Sequence, residues 1–443
     1  MAEKKGIDWS SLWKKEDWWA CWIGWFILLL AIVFVAPAWL HFPQIAKWTT
    51  VAEAFPKGID TLWATISVFL IMLVLTLIGA IFMKKYSHLY IPAFIVIFAL
   101  TFLAIFMGKL HTVKLWGITG IPYVLWALAF GLFISNVLGV PKWLKAGVMT
   151  EYFIKIGLVA MGATIMFSVV IKAGALGMGQ AILVVGAVWF FAYWVARRFG
   201  ISEKFSSIIA TGVSICGVSA SIAAGGAVKG NPKEVTYMIA WLMVCAVILI
   251  IVMPPLAKAM NLPTNMAGAW LGGVIDNTAA VVAAGDVIGT KAAGDAAAMV
   301  KMAQNVLIGF AAFFLAIWAT FTLDRVPGAE RPSYAEVWWR FPKFIVGFVV
   351  ASLIISFFVD PIMGADVASA IGPKLLKAYR TWFFALAFVC IGLETNFKEL
   401  VTVGGGRPAI AYWIAQIMNG FWTLGIVWIL WSGWLFTPPI LPD

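Results

Sequence analysis

Asp276, Asn277 and Thr278 stand near the middle of an apolar run, and their types and spacing invite chemistry more than any others in the chain. A carboxylate at the centre of a membrane-inserted helix costs about 2.5 to 3.5 kcal/mol, so Asp276 is expected to face a cavity and act there. An amide and a hydroxyl oxygen beside a carboxylate suit a hard cation such as sodium, or a proton. The bland alternative is that Asp276 caps a half-helix starting behind it, a role compatible with holding an ion. A second segment, residues 211 to 226, gathers Ser214, Cys216, Gly217, Ser219 and Ser221 with Thr211, Gly212, Gly225 and Gly226. An unpaired backbone polar group facing lipid costs several kcal/mol, so such a segment must face protein or water. The pattern predicts a helix unwound near Gly217, with Ser219 capping a new half-helix. The free N–H groups of that half-helix, with a partial charge of about half a unit, suit an anion. Close packing through small pairs such as Gly212 with Cys216 explains the same residues without a ligand.

Lys301, Gln304 and Asn305 fall at i, i+3 and i+4 and share one helix face, where an ammonium and two amides suit an anion. Lys301 has the alternative of snorkelling to the membrane edge. The substrate-binding candidates are therefore Ser214, Cys216, Gly217, Ser219, Ser221, Asn277, Thr278, Lys301 and Asn305. Asp276, Asn277 and Thr278 are the candidates for a coupling ion. Glu394, Thr395 and Asn396 read as a helix end. Lys155 either pairs with a carboxylate or extends to the membrane edge. No catalytic set is legible, because a nucleophile-base pair, GxxxxGK[ST] and HExxH are all absent. Cys21, Cys216, Cys245 and Cys390 are isolated, and the three histidines lie far apart, so neither a disulfide framework nor a resident metal is expected. Bound sodium is the sole ligand of that kind the residues suggest.

The elements that position these residues follow from composition. Of 443 residues, 63% are hydrophobic and 12% charged, against about 45 to 50% and about 25% in soluble domains, which excludes a water-facing fold. Apolar runs near 20 residues recur thirteen times, between 18 and 434. They predict an all-α, polytopic helical membrane protein of about 11 to 13 spans. Two discontinuous helices are expected at 205–228 and 266–289. Residues 1–140 read as Trp-rich N-terminal spans, with residues 7 to 17 an interfacial helix, and 141–443 as a transporter core. A cleaved signal peptide before Ala36-Pro37-Ala38 is the weaker reading of the first run. Trp413, Trp422, Trp428, Trp431 and Trp434 read as an aromatic belt.

The net charge of +11 is spread in singles and pairs between runs, which argues against nucleic acid and for orientation signals. With every run crossing and the N-terminus cytoplasmic, Lys and Arg number 18 inside against 12 outside, with Lys155 inside a span. Two internal similarities suggest inverted repeats. One is offset by about 60 residues, Gly212 to Gly225 against Gly273 to Gly285. The other is offset by 230, Val159, Gly162, Phe167 and Gly174 against Val389, Gly392, Phe397 and Gly404.

From Lys155 to Gly404 the chain resembles the YeiH-like family of sulfate exporters, within the bile-acid-symporter-like transporters. The resemblance rests on Lys155-Ile156-Gly157-Leu158, the block Ala210 to Gly217 with Ser219-Ala220, and Val281 to Gly285. Val300-Lys301 and Val389-Cys390-Ile391-Gly392-Leu393 complete it. It implies a helical carrier in which the two discontinuous helices are crossing helices near the bilayer midplane, alternating access by an elevator-like or rocking motion, and an anionic substrate. Asp276-Asn277 stand where a His-Glu pair is expected, and Gln304 where an Arg often follows the Lys. Fewer positive groups weaken the case for a doubly charged inorganic anion, and Asp276 strengthens the case for cation coupling. The expectation is a secondary active transporter of a small anion in the cytoplasmic membrane, without an enzyme activity and with a homodimer left open. An ion-translocating subunit of a membrane enzyme and a passive anion channel are the alternatives.

Overall fold

The computed structural model describes residues 10–35, 45–55, 59–110, 114–115, 118–119, 123–164, 166–323, 342–396 and 406–437. Phe397, Gly404 and, of the positive residues between 325 and 343, Arg325, Arg331 and Arg340 lie outside the described residues. Among the described residues the fold is all-α apart from two short antiparallel strands, Lys114-Leu115 paired with Ile118-Thr119, and an isolated bridge between Trp48 and Leu110. Among the described residues, nine helices are long and apolar enough to cross a membrane, from Glu16–Phe34 to Arg407–Trp431. The other four of the thirteen runs form shorter helices: Tyr123–Leu138, Thr150–Gly162 and the two interrupted segments.

The chain divides into two compact units, Met1–Phe167 with Lys343–Glu394, and Ser168–Pro342 with Thr395–Asp443. The Trp-rich N-terminal spans therefore share a unit with residues 343 to 394, which the sequence reading assigns to the core. The reason is visible in the buried contacts. Lys155 pairs with Glu16 at 2.8 Å and Asp17 at 2.9 Å, which settles its two readings in favour of a carboxylate partner. The Lys343 backbone N–H donates to the Asp17 carboxylate at 2.9 Å, and the Cys21 thiol donates to the Lys343 carbonyl. Glu394 ends the Lys377–Glu394 helix as expected, and the Thr150 hydroxyl donates to its carboxylate at 2.8 Å.

The second unit carries both interrupted segments. The first runs Glu203–Thr211, a wide turn Gly212–Cys216, then Val218–Ala227. The second runs Thr264–Val274, then Thr278–Ile288. Each half has about 10 residues, roughly 15 Å, which is half of a hydrocarbon core about 30 Å thick. The linking helix between the segments, Pro232–Ala259, and the buttress helix after them, Lys291–Trp318, have 28 residues each and are long enough to cross completely. Local chemistry fixes the helix starts. Ser202 caps the first half, Asn231 followed by Pro232 starts the linking helix, and Thr290 caps the buttress helix.

The halves fold back on each other instead of continuing across. In the first segment a Cβ added at Gly212 would sit 2.6 Å from the Ser221 hydroxyl, and one at Gly230 would sit 2.7 Å from Ile208. Residues nine apart on one straight helix would be about 13 Å apart. In the second segment Gly268 packs on Ala293 and Ala296 while Gly272 packs on Ala297 and Val300, so the outgoing half runs parallel to the buttress helix. The returning half runs antiparallel to it, with Asn305 donating to Thr278 at one end and Gly285 against Gly294 at the other. Both segments are therefore helical hairpins, joined by four-residue links to the linking helix between them. That helix carries the chain from one end of the unit to the other, so the hairpins enter from opposite ends. Gly217 makes the first reversal at φ +64°, where an L side chain is strained, and a Cβ there would run into the Asp276 carbonyl oxygen. The hairpins meet tip to tip rather than crossing through one another, and the 60-residue similarity relates two hairpins of opposite entry.

Candidate functional site

At the two reversals, side-chain donors from long helices cover several backbone carbonyls. The Lys301 ammonium, fully buried on the buttress helix, donates to the Ile215 carbonyl at 2.7 Å and to the Gln304 amide oxygen. Gln304 in turn donates to the Gly273 carbonyl at 3.2 Å. The C-terminal helix, Arg407–Trp431, contributes Gln416 and Asn419, which donate to the Val274 carbonyl at 2.7 and 3.4 Å. Gln180, itself held by the Trp431 indole, donates to Ala269. An uncovered carbonyl away from water would cost about 1 to 3 kcal/mol, so these amides hold the hairpin ends open without unfolding them.

The returning halves present the opposite polarity. Asn277 caps the second, its Oδ1 accepting from the Ala280 N–H at 3.0 Å. Capping therefore belongs to Asn277 and not to Asp276, which removes the bland reading of the carboxylate. The Tyr412 hydroxyl donates to Asp276 Oδ2. Asp276 Oδ1 is buried without a hydrogen-bond partner. In the first hairpin Gly217 occupies the cap position and supplies no side chain, so the N–H groups of that half-helix keep no side-chain acceptor. Ser219 lies inside the first turn, half-buried, and does not cap it, contrary to the sequence expectation. The cause is the tight turn, which leaves one residue between the wide turn and the returning helix.

The other candidates sort by what they already bind. Thr278 accepts from Asn305 Nδ2 at 3.2 Å, which leaves Asn305 Oδ1 without a partner. Ser214 and Ser221 are buried with partnerless hydroxyls, and Cys216 packs with Ile215, Ala220 and Ile308 against the tip. Gln416 Oε1 is partnerless too. Ser214, Ser221, Asp276, Asn305 and Gln416 are each no more than 3% exposed. Buried polar atoms are nearly always satisfied, so five orphans on two hairpins and their supporting helices mark a place where a polar ligand belongs.

Tyr412, Gln416 and Asn419 went unread in the sequence, although a signal was present. With Thr423, whose hydroxyl donates to Asn419, they recur at i, i+4, i+7 and i+11, a polar stripe on a helix otherwise apolar and Trp-rich.

The comparisons with known proteins place the chain in a family of membrane proteins. Residues 92–411 match the family model described as conserved hypothetical protein 698. A UPF0324 membrane protein of Rhodopirellula baltica is 39% identical over 391 residues, covering 87% of this chain and 70% of the relative. The chain belongs to this family. A second UPF0324 membrane protein, from Nitratidesulfovibrio vulgaris, is 36% identical over 87% of the chain and 69% of its own length. One from Nitrosomonas europaea is 26% identical over 98% of both. No solved structure matches the chain. The UPF0324 membership bears out the YeiH-like resemblance, and the matched span contains both hairpins and the buttress helix and ends just before Tyr412.

Proposed function

We propose that this UPF0324 protein is a secondary active transporter of a small anion, a sulfur oxyanion, sulfonate or carboxylate, coupled to a cation at Asp276. The observation carrying this reading is the tip-to-tip meeting of two hairpins entered from opposite ends, with five buried, partnerless polar groups around it. A substrate held between two such tips is reached from either end by movement of one hairpin, which is the requirement of alternating access. The uncapped helix start after Gly217 and the Ser214 and Ser221 hydroxyls supply donors for the anion. Lys301, already bonded to the first tip, supplies fixed positive charge, and Asn305 and Thr278 complete the wall.

Orientation belongs to the same reading, with the N-terminus cytoplasmic in a prokaryotic inner membrane. Hairpins that return to their own side move Lys229 and Lys233 inward and Lys258 outward. The count of Lys and Arg then changes from 18 against 12 to 19 against 11.

The test is ligand-stabilised melting of the purified protein in sulfate, sulfite, taurine and dicarboxylates, with and without sodium. Stabilisation of RT ln(1 + [L]/Kd) raises the transition by an amount set by affinity, about 2.7 kcal/mol at 100 times Kd. An unmoved transition with every anion, at every pH tried, would count decisively against the reading.

A further inference from the structure

We propose that Asp276 is a proton site, and that its protonation leaves the Lys301 ammonium as the uncompensated charge that draws the anion in, making the protein a proton–anion symporter. This rests on the anion-transport reading and names its coupling ion. Sodium requires several oxygens at once, and the three residues the sequence nominates for it are mostly committed. Asn277 Oδ1 accepts from Ala280, Thr278 Oγ1 accepts from Asn305, and Asp276 Oδ2 accepts from Tyr412. Among the side-chain oxygens of these three residues, Asp276 Oδ1 is the one with no partner. A single carboxylate oxygen suffices for a proton.

The charges around the carboxylate explain why binding it matters. Lys301 faces Asp276 from the buttress helix, Tyr412 from the C-terminal helix and Cys245 from the linking helix. On the first hairpin, Cys216 lies by Lys301. Histidine is absent from the second unit's sequence altogether, as His41, His88 and His111 all precede residue 168. With Asp276 ionised, carboxylate and ammonium cancel, and an anion entering the tips finds no net charge. A proton arriving from water on Oδ1 neutralises the carboxylate and leaves one positive charge, already fixed by the Ile215 carbonyl. Proton and anion then each favour the other's binding, reciprocally and typically by about 5- to 150-fold, so they travel together and in the same direction. Tyr412 is a positioning residue: it holds Oδ2 and leaves Oδ1 free for the proton.

The experiment is an infrared titration of the full chain reconstituted in lipid, read at the carbonyl stretch of a protonated carboxylic acid. Wild type, Asp276→Asn and Tyr412→Phe are compared with and without sodium at about 100 mM, a concentration that saturates any site of millimolar affinity. The expected result is a band that grows as pH falls, is lost in Asp276→Asn, and keeps its midpoint in sodium. Tyr412→Phe should move that midpoint by about one to two pH units, because a hydrogen bond to a charged group contributes about 1.5 to 3 kcal/mol. Absence of the band at every pH, or displacement of it by sodium, overturns the proposal. In parallel, the stabilising anion's affinity should fall at least about 5-fold as Asp276 ionises in wild type, and should stay high and pH-independent in Asp276→Asn. A titrating band with no anion response would leave a proton site and remove the transport reading, whereas an anion response without the band would remove the proton alone.

Discussion

At the scale of single residues, the meeting of the hairpins depends on Gly217. A non-glycine residue in the left-handed region costs about 1 to 2 kcal/mol. Here the added Cβ also strikes the backbone carbonyl of Asp276, which no rotamer change relieves. Gly217→Ala is therefore expected to lower stability by at least about 2 kcal/mol and to abolish anion-dependent stabilisation. Gly186→Ala, on a long helix with open space around it, is the control and should change stability by no more than about 1 kcal/mol. Thermal melting of both variants checks the pair, and equal losses would show that Gly217 has no special place. Asn277→Ala should cost about 0.5 to 2 kcal/mol by loss of the cap, with Asn277→Asp retaining most of it. Asp276 was legible because an acidic residue in an apolar run has few bland explanations. Its partner Tyr412 was not, because tyrosine is at home at a membrane interface and the contact is 136 residues away in sequence.

At the scale of elements, the small and polar residues inside two apolar runs located the interruptions at residues 217 and 276 but not the reversal of direction. A run of some 24 apolar and small residues reads the same whether its halves continue or fold back, since either arrangement satisfies the backbone within each half. The decision lies in packing, where Gly212 meets Ser221 and Gly272 meets Ala297. In a background with the four native cysteines replaced, Gly212→Cys with Ser221→Cys should close a disulfide on mild oxidation. A bond needs Cβ atoms about 3.5 to 4.5 Å apart, which a continuous helix could not offer at a separation of nine residues. Failure to cross-link under conditions that oxidise a control pair would argue for continuous helices. In the other unit, the N-terminal helix Glu16–Val35 is tied to Thr150–Gly162 by Lys155, a residue the family resemblance singled out without its partners. Lys155→Met leaves two largely buried carboxylates behind and should cost about 3 to 5 kcal/mol. Adding Glu16→Gln and Asp17→Asn should recover much of that in melting experiments, which a purely steric effect of the new methionine side chain would not allow.

For the molecule as a whole, the hairpins change what the positive residues mean. If both interrupted segments crossed the membrane, the loops at Lys204 and Lys229 would face opposite sides, and so would those at Met260 and Lys291. As hairpins, each segment starts and ends on one side, and the linking helix Pro232–Ala259 alone carries the chain between the two pairs. Lys204→Cys and Lys229→Cys should thus be modified by an impermeant thiol reagent from the same face, and Met260→Cys and Lys291→Cys from the other. The native cysteines Cys216 and Cys245 are buried and should stay unlabelled in either vesicle orientation. Labelling of Lys204→Cys and Lys229→Cys from opposite faces would restore the crossing arrangement and remove the geometric basis for access to Asp276 from both ends. Same-face labelling has a further consequence, because the loop that carries Lys229, Asn231 and Lys233 would then lie with Arg197 and Arg198 on the positive side. An excess of Lys and Arg marks the cytoplasmic side. The first hairpin, with Gly217 and the uncapped helix start, would then open toward the cytoplasm, and the second, with Asp276, toward the outside.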